Sequence, residues 1–404
     1  MDFEKIRKDF PLIAESDFVY LDTSATAQKP KCVLDAVNRY YFEENANPMR
    51  GLYKLSVKAT EVYENARKRA AEFIGGAPGE IIFTRNASES LNLAAYSYAR
   101  SVLEEGDEVI IAISEHHSNM LPWRMAADEK KAKVIYFECD EKGEYSVDTL
   151  KAILTSRTKI VAMAQVSNIL GRVNDIRTFA EAAHAVGAVF VCDGAQSVPH
   201  MKVNVKELGV DFFAFSGHKM LAPMGIGVLW GRRELLEKMP PFLYGGEMIE
   251  YVTTDRMTFA EVPHKFEAGT VNAGGAAGLA AAMDYLDGIG LDNIHKREEE
   301  LCALAMERIA KMPHVHIIGS DKAEEHSGII TFAIDGVHPH DIAAIMDNDN
   351  ICVRAGHHCA QPFHKFIGTM STTRSSIAFY NNESDIIRFT DTLASIRRRM
   401  GYNE

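Results

Sequence analysis

The stretch VRAGHHCAQP, residues 353–362, places Arg354, His357, His358 and Cys359 within six positions. Those side chains could ligate a metal, form half of a disulfide, or present a nucleophilic thiol with groups that tune it. A second candidate lies in DFFAFSGHKMLAPMGIGVLW, residues 211–230, where Lys219 sits in a turn between two apolar runs. A lysine in a turn is ordinarily solvated, and Gly225 and Gly227 are not a dinucleotide fingerprint, because strand-like VLWG follows them. Asp193, at the end of another apolar run, changes the weighting. An enzyme using pyridoxal 5'-phosphate needs a lysine for the Schiff base and an acid that keeps the pyridine nitrogen protonated. It also needs a phosphate cup, commonly a helix N-terminus with hydroxyls. Ser88 at a helix start, with Ser216 and His218 beside the lysine, supplies one, and His116 offers an aromatic face.

Regular elements must bring these groups together. EIIFT (80–84), DEVIIAIS (107–114), AKVIYFE (132–138), TKIVAMAQVS (158–167), AVFVCD (188–193) and DFFAFSG (211–217) read as strands. A helical stretch from Ser88 to about Leu103 follows the first, and DIRTFAEAAHAVG has helical spacing ending on Gly187. Near-continuous apolar strands alternating with amphipathic helices indicate an α/β fold with a mostly parallel sheet. Such sheets carry their sites at the carboxyl ends of the strands. Those ends hold Asn86, Ala87 and Ser88; Glu115, His116 and His117; Asn168; Asp193 and Gln196; and His218 and Lys219. After about residue 275 a long helical region to 312 leads to short strands in HVHIIGS, SGIITFAI and ICVRAG, with helices from about Asp341 and Ser384. The expected division is a large domain over 16–275 and a smaller α+β domain of 1–15 and 276–404 that carries the cysteine loop.

Composition narrows the functional classes. The 404 residues are 47% hydrophobic and 25% charged, enough apolar content for a substantial core. A net charge of -12 argues against a general nucleic-acid binder, and Arg397–Arg399 is too short a run to reverse that. The opening MDFEKIRKDFPLI lacks the apolar core of a signal peptide, and no apolar run is long enough to span a bilayer. Six scattered cysteines without a CxxC pair fit reduced thiols in the cytoplasm.

The motifs EHHSNMLPW, SNILG, CDGAQS, SGHKMLAPMGIGVLW, FEAGT and RAGHHCA together resemble the group II, Suf-type cysteine desulfurases of the class V pyridoxal-phosphate aminotransferase family, over essentially the whole chain. The resemblance implies fold type I of the pyridoxal-phosphate transferases, with a large sheet of seven-stranded type. It implies that Lys219 carries the cofactor, Asp193 pairs with its ring nitrogen and His116 stacks on the ring. Gln196 is expected at the ring oxygen, and Ala87, Ser88, Ser216 and His218 at the phosphate, Ala87 through its backbone N–H alone. Thr270 of AGT is expected to reach the phosphate of a second subunit in a homodimer. Arg374 would hold the substrate carboxylate with Asn168 nearby, Arg354 would assist, and Cys359 would accept the sulfur. The implied reaction turns L-cysteine into L-alanine with a persulfide on Cys359, whose sulfur passes to an acceptor for iron–sulfur cluster assembly.

On this reading the HHC stretch is neither a metal site, for want of a second ligand pair at zinc-like spacing, nor a disulfide. A buried structural cysteine is the default for Cys352, whereas Cys359 follows a glycine and two histidines in a loop. Arg354 and those histidines are expected to form a cationic surround that favours the thiolate. Met49 and Tyr53 stand where family members often carry histidines, and Ala87 where a second hydroxyl is usual. His338 and His340 in DGVHPHDI open a helix; His340 is a candidate contact for a zinc-containing SufU-like acceptor, a SufE-like one being the alternative. Competing functions are a selenocysteine lyase, a sulfinate desulfinase or an aminotransferase, and, from another class, a metal-binding assembly protein.

Overall fold

The computed structural model describes residues 1–402. Its central sheet has seven strands in the spatial order Ile81–Thr84, Gly227–Gly231, Phe212–Ser216, Val189–Asp193, Thr158–Ala164, Glu108–Ala112 and Lys133–Phe137. Only Gly227–Gly231 runs antiparallel to its neighbours. The others share one direction, so the carboxyl ends expected to hold the site do share an edge. Strand side chains alternate between two cores, as a pleated strand buried on both faces requires. Ile110, Val161, Phe190 and Phe213 face one core, packed by helices Lys54–Ile74 and Ala273–Ile289. Val109, Ile111, Ile160, Val191 and Phe212 face the other, with Leu91 and Trp123.

A buried ion pair ties the start of this sheet to the FEAGT segment. Arg67 donates two bonds of 2.7 Å to Glu267, which also accepts from the Phe83 N–H at 2.7 Å and the Tyr63 hydroxyl at 2.9 Å. Each carboxylate oxygen thereby accepts two bonds, the condition under which a buried charge is tolerated.

The second sheet has four antiparallel strands, Val315–Ile317, Ile329–Ile334, Thr372–Ser376 and Arg354–Gly356 in spatial order. Leu301, Ile342 and Phe389, from helices Leu291–Ile309, Pro339–Asn348 and Glu383–Arg399, pack its core. The long helical region is two helices, broken at Gly290, whose φ of 87° suits glycine. ICVRAG is divided as well: Ile351–Cys352 pairs in parallel with Val19–Tyr20, and Arg354–Gly356 joins the four-stranded sheet. Among the described residues no helix is long and apolar enough to cross a membrane.

Candidate active site

One wall of the site is built from strand ends of the seven-stranded sheet. Asp193 ends its strand and accepts the Ala195 N–H at 2.9 Å. The chain turns there on Gly194, where a Cβ would lie 2.0 Å from the Phe213 ring. Asn86 caps the helix Ala87–Ala94 by accepting the Glu89 N–H at 3.0 Å. That helix start lies close against Gly227, where a Cβ would come within 2.5 Å of Asn86 backbone. The Ala87 N–H donates to Ser216 Oγ at 2.8 Å, and Ser88 Oγ is 2.6 Å from Ser118 Oγ. The carbonyl of His218, next to Lys219, accepts from the Ala27 N–H at 3.0 Å, the Thr26 hydroxyl at 3.2 Å and the Lys29 ammonium at 2.9 Å. Three donors from one N-terminal segment therefore fix the lysine turn.

Burial sets the charge states on this wall. Lys219 is pushed down to about 8 by burial, against the pull of Asp193 and with the help of Arg374. Burial raises Asp193, and the charge of Lys219 offsets part of that. His116 falls to about 3, through burial and the neighbouring Lys219, so its ring is neutral; its Nδ1 accepts the Ser118 N–H at 3.1 Å. His218 falls to about 4 for the same two reasons. Glu115 is pushed up to about 8 by burial, although it accepts from the Ala164 N–H at 2.7 Å and Asn119 Nδ2 at 2.6 Å.

The opposite wall comes from the four-stranded sheet and the loop after Gly356. His358 and Cys359 both have left-handed backbones, with φ of 49° and 56°. Two adjacent non-glycine residues in that region cost on the order of 1–3 kcal/mol each, so the surroundings must hold them. The carbonyl of His358 accepts from Asn168 Nδ2 at 2.8 Å and that of Cys359 from the His117 N–H at 2.7 Å. The Cys359 N–H turns back to His357 Nδ1 at 3.2 Å. Cys359 is exposed, whereas Arg374 is buried and donates to the Asn168 carbonyl at 2.7 Å.

The expected cationic surround of Cys359 needs correction. His358 is pushed down to about 2 by burial and by Arg374, and burial lowers His117. His358 is therefore neutral and adds no charge at the thiol. Arg354 is held by Asp22 through bonds of 3.0 and 2.6 Å, which compensates its charge. The positive charges that remain to act on the thiol are Lys219 and Arg374, each of which interacts electrostatically with Cys359.

The walls enclose a cleft of about 700 Å³ lined by Ala87, Ser88, His116, Asn168, Asp193, Gln196, Ser216, His218, Lys219, Arg354, Cys359 and Arg374. Groups separated by 287 residues, Ala87 to Arg374, thus meet in one place. His340 also reaches the cleft, while His338 caps its own helix by accepting the His340 N–H at 3.2 Å. Thr270 lies elsewhere, in a shallow groove with Tyr41 and Pro48. Met49 is not among the cleft residues; its N–H donates to Thr60 Oγ1 at 2.7 Å.

The donor set fits pyridoxal phosphate. Ser24 Oγ, Gln196 Oε1 and Arg374 Nε belong to cleft residues and are buried without a partner, as expected of groups that a bound molecule completes. Gln196 spends one amide hydrogen on the Ser24 carbonyl at 2.8 Å, which leaves its second amide hydrogen available. Sequence reasoning did not single out Asp22, Ser24, Ser118 or Thr372. Asp22, at the end of VYLD, carries the same strand-end signal as Asp193, and that could have found it. Among the described residues no three His, Cys, Asp or Glu side chains gather into a metal-binding group.

A lysine and an acid at the carboxyl edge of a largely parallel sheet, facing a thiol loop on a second sheet, define a class of protein. The family described as Aminotransferase class-V matches residues 19–389, and the chain belongs to it. A probable cysteine desulfurase of Halalkalibacterium halodurans is 44% identical over 407 aligned positions covering 100% of both chains. The apo structure of a cysteine desulfurase from Thermococcus onnurineus superposes with a TM-score of 0.94 at 40% identity, covering 98% of each chain. A cysteine desulfurase of Escherichia coli, solved in an S-sulfonic acid form, gives 0.92 at 35% identity over 99% of each.

Proposed function

We propose that this chain is a pyridoxal-phosphate-dependent cysteine desulfurase that moves the sulfur of L-cysteine onto Cys359 and releases L-alanine. The observation that carries the reading is the juxtaposition, across one cleft, of a half-buried lysine beside Asp193 and an exposed thiol on a constrained loop. Relatives named cysteine desulfurase, 44% and 40% identical over nearly their whole length, support it.

Lys219 would hold the cofactor, Asp193 its ring nitrogen, Gln196 its ring oxygen, His116 its ring face, and Ala87, Ser88, Ser216 and His218 its phosphate. Bound there, the cofactor supplies an electron sink for the bonds around the substrate's Cα. Arg374, with a free buried Nε, takes the substrate carboxylate, Asn168 orients that guanidinium through its carbonyl, and Arg354, held by Asp22, lines the cleft beside it. Lys219, pushed down to about 8, exists partly as the free amine near neutral pH and can carry the Cα proton. Cys359 as thiolate then attacks the substrate's sulfur. A sulfur–sulfur bond forms and the carbon–sulfur bond breaks; its electron pair stays on carbon, which takes a proton and becomes the methyl group of alanine. The enzyme keeps a persulfide, and an acceptor thiol must remove the outer sulfur before a second turnover.

The division at about residues 16 and 275 is part of this reading, with the lysine on one unit and the cysteine on the other. So is a homodimer, which would give Thr270 a neighbouring site to serve; exposed Phe42, Leu52, Tyr53 and Leu55, near its groove in sequence, fit a covered surface. His340 at the cleft is available to a zinc-containing, SufU-like acceptor, and delivery to iron–sulfur assembly in the cytoplasm follows from that partner. The test is the visible spectrum of purified protein with and without L-cysteine, alongside alanine release. A cofactor band that responds to L-cysteine, with alanine accumulating when a thiol acceptor is present, is expected. A protein that stays colourless with added pyridoxal phosphate contradicts the reading.

A further inference from the structure

The residues on either side of Cys359 are the two ends of one chain of hydrogen bonds. His364 Nδ1 lies 3.1 Å from the Ala360 carbonyl oxygen, and a carbonyl only accepts, so Nδ1 carries the proton. A neutral His364 therefore presents a bare Nε2, which takes the Thr372 hydroxyl proton across 3.1 Å. That hydroxyl has one hydrogen, so its oxygen must accept from His358 Nε2–H at 3.0 Å. The direction of the chain is fixed from end to end, and His358 keeps an unprotonated Nδ1 that is buried without a partner. Burial keeps both rings neutral, as the chain requires.

Thr372 is completely buried and opens the strand Thr372–Ser376. Arg374 lies two residues on, hence on the same face. One rigid strand thus carries both the arginine for the substrate carboxylate and the hydroxyl that joins the two histidines.

We propose that Thr372 is a positioning residue for the sulfur-transfer step: through His358 and His364 its hydroxyl clamps the left-handed Cys359 loop and sets the thiol's place relative to Arg374. The inference rests on Cys359 being the nucleophile. It predicts a split effect, in which losing the hydroxyl slows sulfur transfer but not substrate capture.

The experiment uses the holoenzyme with Thr372→Val, which keeps the shape and removes the hydroxyl. Single-turnover persulfide formation should fall about ten- to thirtyfold, the size of one or two lost hydrogen bonds. The cofactor's spectral response to L-cysteine should saturate at the same concentration within about twofold, and alkylation of Cys359 by iodoacetamide should stay within about threefold, both well below the tenfold step that one lost bond produces. Thr372→Ser should restore transfer. His364→Asn keeps a donor for the Ala360 carbonyl and loses the acceptor for Thr372, so it should reproduce the loss, with no further loss in combination with Thr372→Val. Wild-type transfer in Thr372→Val, failure of the serine to rescue, or additive losses would overturn the clamp. Sulfur release surviving in Cys359→Ala would instead remove the nucleophile on which it rests.

Discussion

Lys219 and Cys359 face the same cleft but are presented in opposite ways. Lys219 follows a strand buried at every residue, its preceding carbonyl gripped by three donors and its pKa drawn down by burial. Cys359 is exposed, on a backbone in an unfavourable region, held by loop contacts from Asn168, His117 and His357. The difference matches the two tasks proposed for them. A group that stores a cofactor and moves a proton gains from a fixed, desolvated seat. A thiol that, on the proposed reading, first attacks the substrate and then gives its sulfur to an acceptor would need to stand at the surface.

The largest expected effects separate the two walls. Lys219→Ala and Cys359→Ala should each reduce desulfuration by about a thousandfold or more. They should differ in what survives: Cys359→Ala keeps the cofactor band and its response to L-cysteine, and Lys219→Ala loses the ordinary band. Equal spectra for the two variants would break the comparison.

Stability should be concentrated on the lysine side. Glu267→Ala leaves Arg67 buried without its carboxylate and should destabilise the fold by about 3–5 kcal/mol, read as a lowered denaturation midpoint. A loss below about 1 kcal/mol would place that ion pair among the weakly contributing surface pairs instead.

Arg374→Leu should raise the L-cysteine concentration needed for half-saturation and lower kcat/KM by about 30- to 1000-fold, the range for losing a charge-assisted carboxylate contact. The persulfide, once formed, should still pass to an acceptor at the normal rate. Slower unloading would move Arg374 into the transfer step.

The smallest effect is a pH profile. Only the free amine of Lys219 captures an aldehyde, and with a pKa of about 8 its fraction rises roughly tenfold from pH 7 to pH 9. Uptake of pyridoxal phosphate by the apoprotein should follow that rise. Because Asp193 raises the pKa of Lys219, Asp193→Asn should move the rise to lower pH. A profile still climbing beyond pH 10 would mean that the lysine behaves as a solvated one.

These two walls are unequally legible in the sequence. The strands ending at Thr84, Asp193 and Ser216 are continuous apolar runs, and a parallel sheet brings their ends to one edge, so the amino-acid order by itself groups Ser88, Asp193 and Lys219. The cysteine loop has no such periodicity. Its grip comes from Asn168, 190 residues away from His358, and Arg354 is paired with Asp22 across 332 residues. Arginine beside histidines therefore reads as a cluster of cations, whereas desolvation leaves buried His358 neutral and Asp22 takes up the charge of Arg354. The break at Gly290 is hard to place for another reason: DGIGLDN holds two glycines, and Gly288 stays within the helix while Gly290 ends it.

The central claim is that sulfur passes through Cys359, and mass spectrometry of the Cys359 peptide after one turnover with L-cysteine, without an acceptor, tests it most directly. A mass increase of one sulfur atom on that peptide, lost on reduction and matched by one alanine per active site, is the predicted result. An unmodified Cys359 with alanine and free sulfide released in continued turnover would contradict it.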